Sequence, residues 1–156
     1  MNGWDLAGEL IPLGFLAALT VWDIREKALP LWLLALGFGC GIAFRALRIL
    51  LGHDSLTQAA GQYLPGLLPG ALLWLFSRFG KGAIGPGDGV CFMMLALWQP
   101  VFGLLGTLLL ALFLAGIGGG AWLLIRRKPL RSALPFLPFV LTAYLAECAA
   151  GWWGDL

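Results

Sequence analysis

Charged side chains are scarce in this sequence. Of its 156 residues only 12% are Asp, Glu, Lys or Arg, whereas 60% are hydrophobic and the mean hydropathy is +0.89. A soluble domain carries about 25% charged residues, and a soluble core of this length would leave too much apolar surface in water. The scarcity of charge therefore excludes an ordinary soluble domain and indicates an integral membrane protein.

Metal-ligating residues are also few. The three cysteines, Cys40, Cys91 and Cys148, are far apart and form no Cys-x-x-Cys pair, and His53 is the single histidine. Neither a zinc ribbon nor a disulfide framework is supported, and buried structural thiols are the better interpretation. Because His53 beside Asp54 is too small a set of ligands for a metal site, we expect no metal and no cofactor.

Basic residues are missing from two informative places. No Lys or Arg precedes the first apolar run, so a cleavable secretory signal is not indicated, and we expect a retained transmembrane helix there. No basic run carries interleaved aromatic residues in a polar segment, which argues against nucleic acid as a partner.

What the sequence does contain is a series of apolar segments, at about residues 6–22, 30–44, 59–76, 90–99, 101–125 and 133–150. A membrane-spanning helix needs roughly 20 residues, with a range of about 17–25, so the second and fourth segments are short. The fourth follows a glycine-rich loop and meets Gln99-Pro100, which is a turn signal. We predict an all-α bundle of six transmembrane helices in a single domain, residues 1–156, or five helices if the fourth segment is re-entrant.

The basic residues predict the orientation of this bundle. If the N-terminus is outside, eight basic residues fall on the cytoplasmic side and only Arg45 and Arg48 fall outside. The eight are Arg25, Lys27, Arg78, Lys81, Arg126, Arg127, Lys128 and Arg131. This asymmetry follows the positive-inside rule. The last four, here called the basic cluster, would also attract anionic lipid headgroups.

Small residues recur at a spacing of four. This spacing places two glycines on one helix face, where they let a neighbouring helix approach closely. The pairs are Gly37 and Gly41, Gly66 and Gly70, and Gly116 and Gly120.

Two aspartates, Asp23 and Asp88, lie at the ends of apolar segments. In the predicted orientation Asp23 ends the first helix and Asp88 begins the fourth, so both lie at the cytoplasmic face. A carboxylate beside hydrocarbon is unfavourable and suggests function. Paired carboxylates can hydrolyse a peptide bond, because one accepts a proton from water while the other, protonated, polarises the carbonyl and then protonates the leaving amine. Such a pair titrates as a unit.

The loop before Asp88 is rich in glycine. Gly85 and Gly87 would allow backbone conformations closed to other residues and the close approach of another chain. A substrate could then pair its extended backbone with this loop. Asp88 also falls at an expected helix N-terminus, where the backbone favours negative charge.

Other interpretations of the two aspartates stay open. Asp23 could be an interfacial residue paired with Arg25 or Lys27, and Asp88 could be an N-cap after a glycine turn. A non-enzymatic membrane carrier, channel subunit or pilus-assembly scaffold could also use both carboxylates to bind a cation or a proton.

Three short motifs follow one another along the chain. They are Asp23 followed by Leu29-Pro30, then Gly85-Pro86-Gly87-Asp88, then Pro135-Phe136-Leu137-Pro138-Phe139. In order and spacing they resemble the motifs of the type IV prepilin peptidases, membrane aspartate proteases of the Gly-x-Gly-Asp class, and together they cover nearly the whole chain. The resemblance implies that Asp23 and Asp88 are the catalytic pair. It also implies that loops are shaped for the substrate by Gly85, Pro86, Gly87, Pro30, Pro135 and Pro138.

The same resemblance implies a function. The family removes short basic leader peptides from prepilins and pseudopilins at the cytoplasmic face of the bacterial inner membrane, usually after a glycine. The expected partners are therefore such a precursor and membrane lipid. Longer members carry a methyltransferase region near the N-terminus, for which this sequence has no room, so N-methylation is not expected.

Two positions depart from the family pattern. Leu31 stands where Asn or Asp often follows the proline, and Val90 stands where Lys is often found two residues after the second aspartate. Both departures bear on substrate choice, and Val90 leaves open a catalytically inactive member. Neither removes a carboxylate.

Overall fold

The structure, a computed structural model, describes residues 3–26, 28–79, 85–119 and 135–154. These residues form seven α-helices and one π-helical segment, which confirms the all-α fold. The elements are α1 (Gly3–Glu26), α2 (Leu31–Leu50), α3 (Leu56–Tyr63), α4 (Leu67–Phe79), α5 (Pro86–Leu95), α6 (Val101–Leu114), the π segment (Ala115–Gly119) and α7 (Leu137–Gly154).

Three of the described helices are long and apolar enough to cross a membrane: α1, α2, and Val101–Gly118, which joins α6 to the π segment. A shorter apolar helix covers Leu137–Gly151. The six crossings and the outer position of the N-terminus stay predictions. Lys27, Lys81, Gly120 and the basic cluster at 126–131 lie outside the described residues.

The third apolar segment is two helices rather than the one expected at 59–76. The chain turns at Leu64, Pro65 and Gly66 between α3 and α4. Because Pro65 has no N–H to donate, it cannot continue the helical ladder. Gly66 and Leu67 instead donate to the carbonyls of Tyr63 and Leu64, each at 3.1 Å.

The fourth apolar segment also differs from the expectation. Helix α5 begins four residues earlier than predicted and ends at Leu95, so that it has 10 residues. At 1.5 Å per residue it is about 15 Å long, roughly half the thickness of the hydrocarbon core. A crossing at this place therefore needs more of the chain than α5 itself.

Helix α5 is the centre of the described fold. Six of its residues are buried: Asp88, Gly89, Cys91, Phe92, Met94 and Leu95. Leucines of α1, α2, α4 and α6 pack in the same core. A helix that is apolar on all sides is expected in such a position.

Glycines let the neighbouring helices approach α5. A Cβ placed on Gly70 of α4 would lie 2.6 Å from the backbone nitrogen of Met93 and 2.9 Å from the carbonyl oxygen of Gly89. On α2, Gly37 faces the Met94 side chain and Gly41 faces Leu97. The predicted packing role is confirmed at these positions, whereas Gly116 has no atom within 4 Å of a Cβ built there.

Candidate active site

Asp23 is buried in the last turn of α1 and binds the start of α7. Its side chain is 8% exposed, and its Oδ2 accepts a hydrogen bond of 3.2 Å from the backbone N–H of Leu137. The first N–H groups of a helix have no partner within the helix. Asp23 therefore caps the N-terminus of α7, although Leu137 lies 114 residues later in the sequence.

The third motif explains why backbone N–H groups at the start of α7, those of Phe136 and Leu137, remain for Asp23. Phe139 and Val140 both donate to the carbonyl of Phe136, at 3.1 and 3.3 Å. Pro138 has no backbone N–H to donate. The N–H of Leu137 is thus left for the carboxylate, and the helix terminus favours its negative charge.

Asp88 occupies a matching position on its own helix. Gly85 is the N-cap of α5, Pro86 is its first residue, and Asp88 is the third residue of the helix. The Oδ2 of Asp88 accepts from the Gly85 backbone N–H at 3.0 Å, while Asp88 N–H donates to the Gly85 carbonyl at 3.1 Å. Asp88 is therefore not the N-cap of α5, which was one of the two interpretations of this residue. Its side chain instead accepts a hydrogen bond from the backbone of the N-cap residue, Gly85.

The structure brings the two aspartates together. Asp88 is buried to the same extent as Asp23, with 8% exposure, and the two carboxylates interact electrostatically. The buried thiol of Cys91, one turn after Asp88, lies within electrostatic range of both. Two helix N-termini, of α5 and α7, thus converge on one pair of acids.

Contacts between the motifs explain this convergence. A Cβ on Gly87 would lie 2.8 Å from Leu29 Cδ1, so the start of α5 packs directly against the residue before Pro30. The rings of Phe136, in the third motif, and Phe92, one turn after Asp88, have centroids 6.4 Å apart. The three motifs, far apart in sequence, therefore form one site.

The glycines of the second motif act differently from the expectation. Gly85 has φ −74° and ψ 149°, an extended conformation open to any residue, and among the described residues the glycine with positive φ is Gly52. Gly87 belongs to α5 and gives space to Leu29. The motif thus needs a missing side chain at Gly87 rather than an unusual backbone.

The prolines of the site begin helices. Pro30 is the N-cap of α2, and its carbonyl accepts from Leu33 and Leu34 at 3.1 and 3.3 Å. Pro86 is the first residue of α5. Pro138 is the second residue of α7, and Pro135 precedes that helix. Proline suits the first turn of a helix, since its fixed φ is helical and no N–H is lost there.

Sequence reasoning missed Thr20. It lies on the buried stripe of α1 formed by Pro12, Leu16, Leu19, Thr20 and Asp23, and its hydroxyl has no hydrogen-bond partner among the described residues. The signal was the interval of three residues before Asp23, which places two side chains on one helix face. A hydroxyl in an apolar helix, however, ordinarily bonds to the backbone of its own helix, so its presence in the sequence does not indicate a functional site.

The opposite end of the bundle holds a polar network. A cavity of about 330 Å³ is lined there by residues that include Glu9, Arg45, Tyr63, Trp98 and Glu147. Glu9 lies 14 residues before Asp23 on α1, which is about 21 Å along the helix axis. The two aspartates are not among the residues that line this cavity.

The basic residues of α2 are paired within this network. Arg45 donates to the carbonyls of Leu97 and Trp98 at 2.8 and 2.9 Å. Arg48 binds Asp54 at 2.8 Å and Asp5 at 3.0 Å. These contacts hold α1, α2 and the end of α5 together, so the network has a structural role.

No group of three or more His, Cys, Asp or Glu side chains that could hold a metal occurs in the described part of the chain. Each carboxylate of the pair accepts a hydrogen bond from a backbone N–H group, and such bonds stabilise the carboxylate charge.

Comparisons with known proteins agree with the three motifs. Residues 10–120 match the profile of the "Type IV leader peptidase family". The chain is also 29% identical, over 163 aligned positions, to a "Prepilin leader peptidase/N-methyltransferase" of Xanthomonas campestris pv. campestris. The alignment covers 98% of this chain but 52% of that protein, so the chain spans about half the length of this relative. No solved structure matches the chain significantly.

Proposed function

Since the chain belongs to the type IV leader peptidase family, we propose that it is a membrane aspartate endopeptidase that removes the leader peptide of a prepilin or pseudopilin-like precursor. Asp23 and Asp88 are its catalytic pair. The observation that carries this proposal is the meeting of the two carboxylates, each buried and each bound by a backbone N–H at the start of a helix.

The chemistry follows from this arrangement. Two interacting carboxylates hold one proton between them more readily than two negative charges. The ionised member takes a proton from a water molecule as the water oxygen attacks the scissile carbonyl. The protonated member donates to the carbonyl oxygen, and the amine then leaves with a proton from the pair. Fixed backbone donors keep both acids oriented, which general acid–base catalysis requires.

The proposed cleavage takes place at the cytoplasmic face of the inner membrane. The ends of α1 and α4 and the starts of α2 and α5 meet at the aspartate end, and this end carries Arg25 and Arg78. The opposite end carries Arg45 and Arg48, which both pair with Asp54, and Arg48 also pairs with Asp5. Lys27 and Lys81 also follow α1 and α4 in the sequence, so four basic residues flank the helices at the aspartate end and two at the other. The positive-inside rule therefore favours the aspartate end as cytoplasmic.

The test of the catalytic pair is leader removal by purified protein. The chain is incubated with a precursor that has a basic leader, and the product is identified by mass for the wild type, Asp23→Asn and Asp88→Asn. We expect each variant to lose cleavage while retaining the helical content and thermal stability of the wild type. The matched control is Asp5→Asn, which changes an acid on the same helix as Asp23 but at the other end and should leave cleavage intact.

Near-normal turnover by either Asn variant would overturn the assignment of the pair. If the wild type cleaves no precursor but carries an ion flux in liposomes that depends on Asp88, the non-enzymatic carrier or channel is the better function. The same mass measurement tests methylation. We propose peptidase activity without N-methyltransferase activity, so an N-methylated product would contradict that part.

Sidedness has its own test. In a variant without native cysteines, His53→Cys and Arg78→Cys mark the two ends of the bundle, and both positions are exposed. We expect a membrane-impermeant maleimide to label position 53 in intact spheroplasts and position 78 only after permeabilisation. The reverse pattern would place the aspartates outside.

A further inference from the structure

Thr20 has a hydroxyl that the fold does not use. Its side chain is 6% exposed, and Oγ1 is a buried oxygen without a hydrogen-bond partner in the described residues. A buried polar group left unpaired is unfavourable, so nearly all such groups in proteins have a partner. The Thr20 hydroxyl is therefore free to bind a group that the fold itself does not supply.

Other hydroxyls in the described part of the chain have partners. Thr142 donates to the carbonyl of Pro138 at 2.8 Å, and Ser77 donates to the carbonyl of Trp74 at 2.6 Å. Thr107, which is fully buried, binds the side-chain oxygen of Gln99 at 3.1 Å. Thr20 departs from the ordinary pattern, in which a helical Thr bonds to a carbonyl three or four residues earlier.

The position of Thr20 indicates what its partner is. Side chains three residues apart on a helix are neighbours, with Cβ atoms about 5–6 Å apart. Thr20 and Asp23 share the buried stripe of α1, and Leu137 N–H fixes the orientation of the Asp23 carboxylate. The polar atoms extend beyond these Cβ atoms on the same helix face, so one water molecule can bridge the Thr20 hydroxyl and the Asp23 carboxylate.

We propose that Thr20 is a positioning residue for the nucleophilic water; this inference rests on the proposed peptidase function. The water donates one O–H to the ionised carboxylate of Asp23 and the other O–H to Thr20 Oγ1. A lone pair of the water oxygen is then left to attack the scissile carbonyl. As the water attacks, the proton that it shares with the carboxylate passes to the carboxylate, as in the mechanism proposed above. Thr20 itself is neither protonated nor deprotonated.

The test compares Thr20→Val, which keeps the shape of the side chain but has no oxygen, with Thr20→Ser, which keeps the oxygen. Both are measured with the wild type for kcat, KM and thermal stability. We expect Thr20→Val to lower kcat about tenfold, the factor that corresponds to one hydrogen bond, with KM unchanged. Thr20→Ser should retain most of the activity. Thr107→Val is the matched control, because it removes a buried hydroxyl at a distance from the aspartates, and it should leave kcat unchanged.

Thermal stability separates this role from a structural one. Since the hydroxyl has no partner in the fold, Thr20→Val should unfold at the wild-type temperature or higher. A wild-type kcat in Thr20→Val, or a drop in its unfolding temperature like that of Thr107→Val, would overturn the positioning role. If Thr20→Val does not accumulate, Thr20→Ala gives the same comparison with Thr20→Ser. Cleavage by the wild type that is lost in Asp23→Asn but intact in Thr20→Val refutes only this inference, whereas cleavage that survives in Asp23→Asn refutes the proposed function.

Discussion

Asp23 Oδ2 accepts a hydrogen bond of 3.2 Å from the backbone N–H of Leu137, and this bond ties the end of the first helix to the start of the last. It does two things at once. It satisfies a helix-terminal donor that would otherwise be unpaired in the membrane, and it fixes the orientation of one carboxylate of the pair.

Replacing Leu137 with proline tests this bond. Proline removes the N–H yet suits the first helical position, so Leu137→Pro deletes the donor with little effect on α7 itself. The Leu137 side chain is 0% exposed, so either replacement removes buried apolar surface. Leu137→Ala therefore serves as the control that loses the leucine side chain but keeps the N–H. Both variants should lose about 2–5 kcal/mol of stability for the lost burial. In addition, kcat per folded molecule should fall about tenfold or more in Leu137→Pro but not in Leu137→Ala. Equal kcat values for the two variants would show that the bond has no part in catalysis.

Gly87 provides a second prediction, on the contact between the first two motifs. A Cβ at this position would lie 2.8 Å from Leu29 Cδ1, so Gly87→Ala or Gly87→Val must displace the start of α5 or the Leu29 side chain. We expect a lower cleavage rate. Gly85→Ala should be tolerated, because its nearest atom, Asp88 Oδ2, lies at an ordinary contact distance of 3.5 Å.

A double variant distinguishes the two explanations for Gly87. If the glycine is needed for packing within the protein, adding Leu29→Ala to Gly87→Ala should restore part of the cleavage. If it is needed so that a substrate backbone can approach the loop, the second change should not help. No gain in the double variant would favour the pairing of substrate with the loop.

Gly89 provides a prediction about stability. A Cβ here would lie 2.7 Å from the backbone Cα of Trp74. Because backbone cannot rotate away as a side chain can, Gly89→Ala should force α4 and α5 apart and destabilise the protein by about 1–3 kcal/mol or more. The control is Gly39→Ala, in a helix position with nothing within 4 Å, which should stabilise by about 0.5–1 kcal/mol. Thermal unfolding in detergent measures both, and equal unfolding temperatures would argue against the close crossing of α4 and α5.

Prediction from the sequence succeeded where local chemistry decides the outcome. The apolar segments confirmed as helices are those whose composition leaves no alternative in a membrane, since a helix satisfies its own backbone. Their bounds were less predictable, because apolar periodicity does not reveal that Pro65 breaks a helix completely or that Pro86 begins one. Asp88 was expected at a helix N-terminus, and that expectation is confirmed.

The sequence names the candidate residues of the site but not their contacts. Nothing in the local sequence indicates that Leu137 donates to Asp23, that Leu29 fills the space beside Gly87, or that Thr20 lacks a partner. Each of these depends on which helix lies beside which.

The sequence alone determined the membrane character, the helical class and the two acids, because hydropathy and the unfavourable energy of a charge beside hydrocarbon act on each residue where it stands. Only the tertiary structure decided that the acids share one site. That outcome depends on close helix crossings, which small residues permit but do not direct, and on two helix termini whose unpaired N–H groups find their acceptors there.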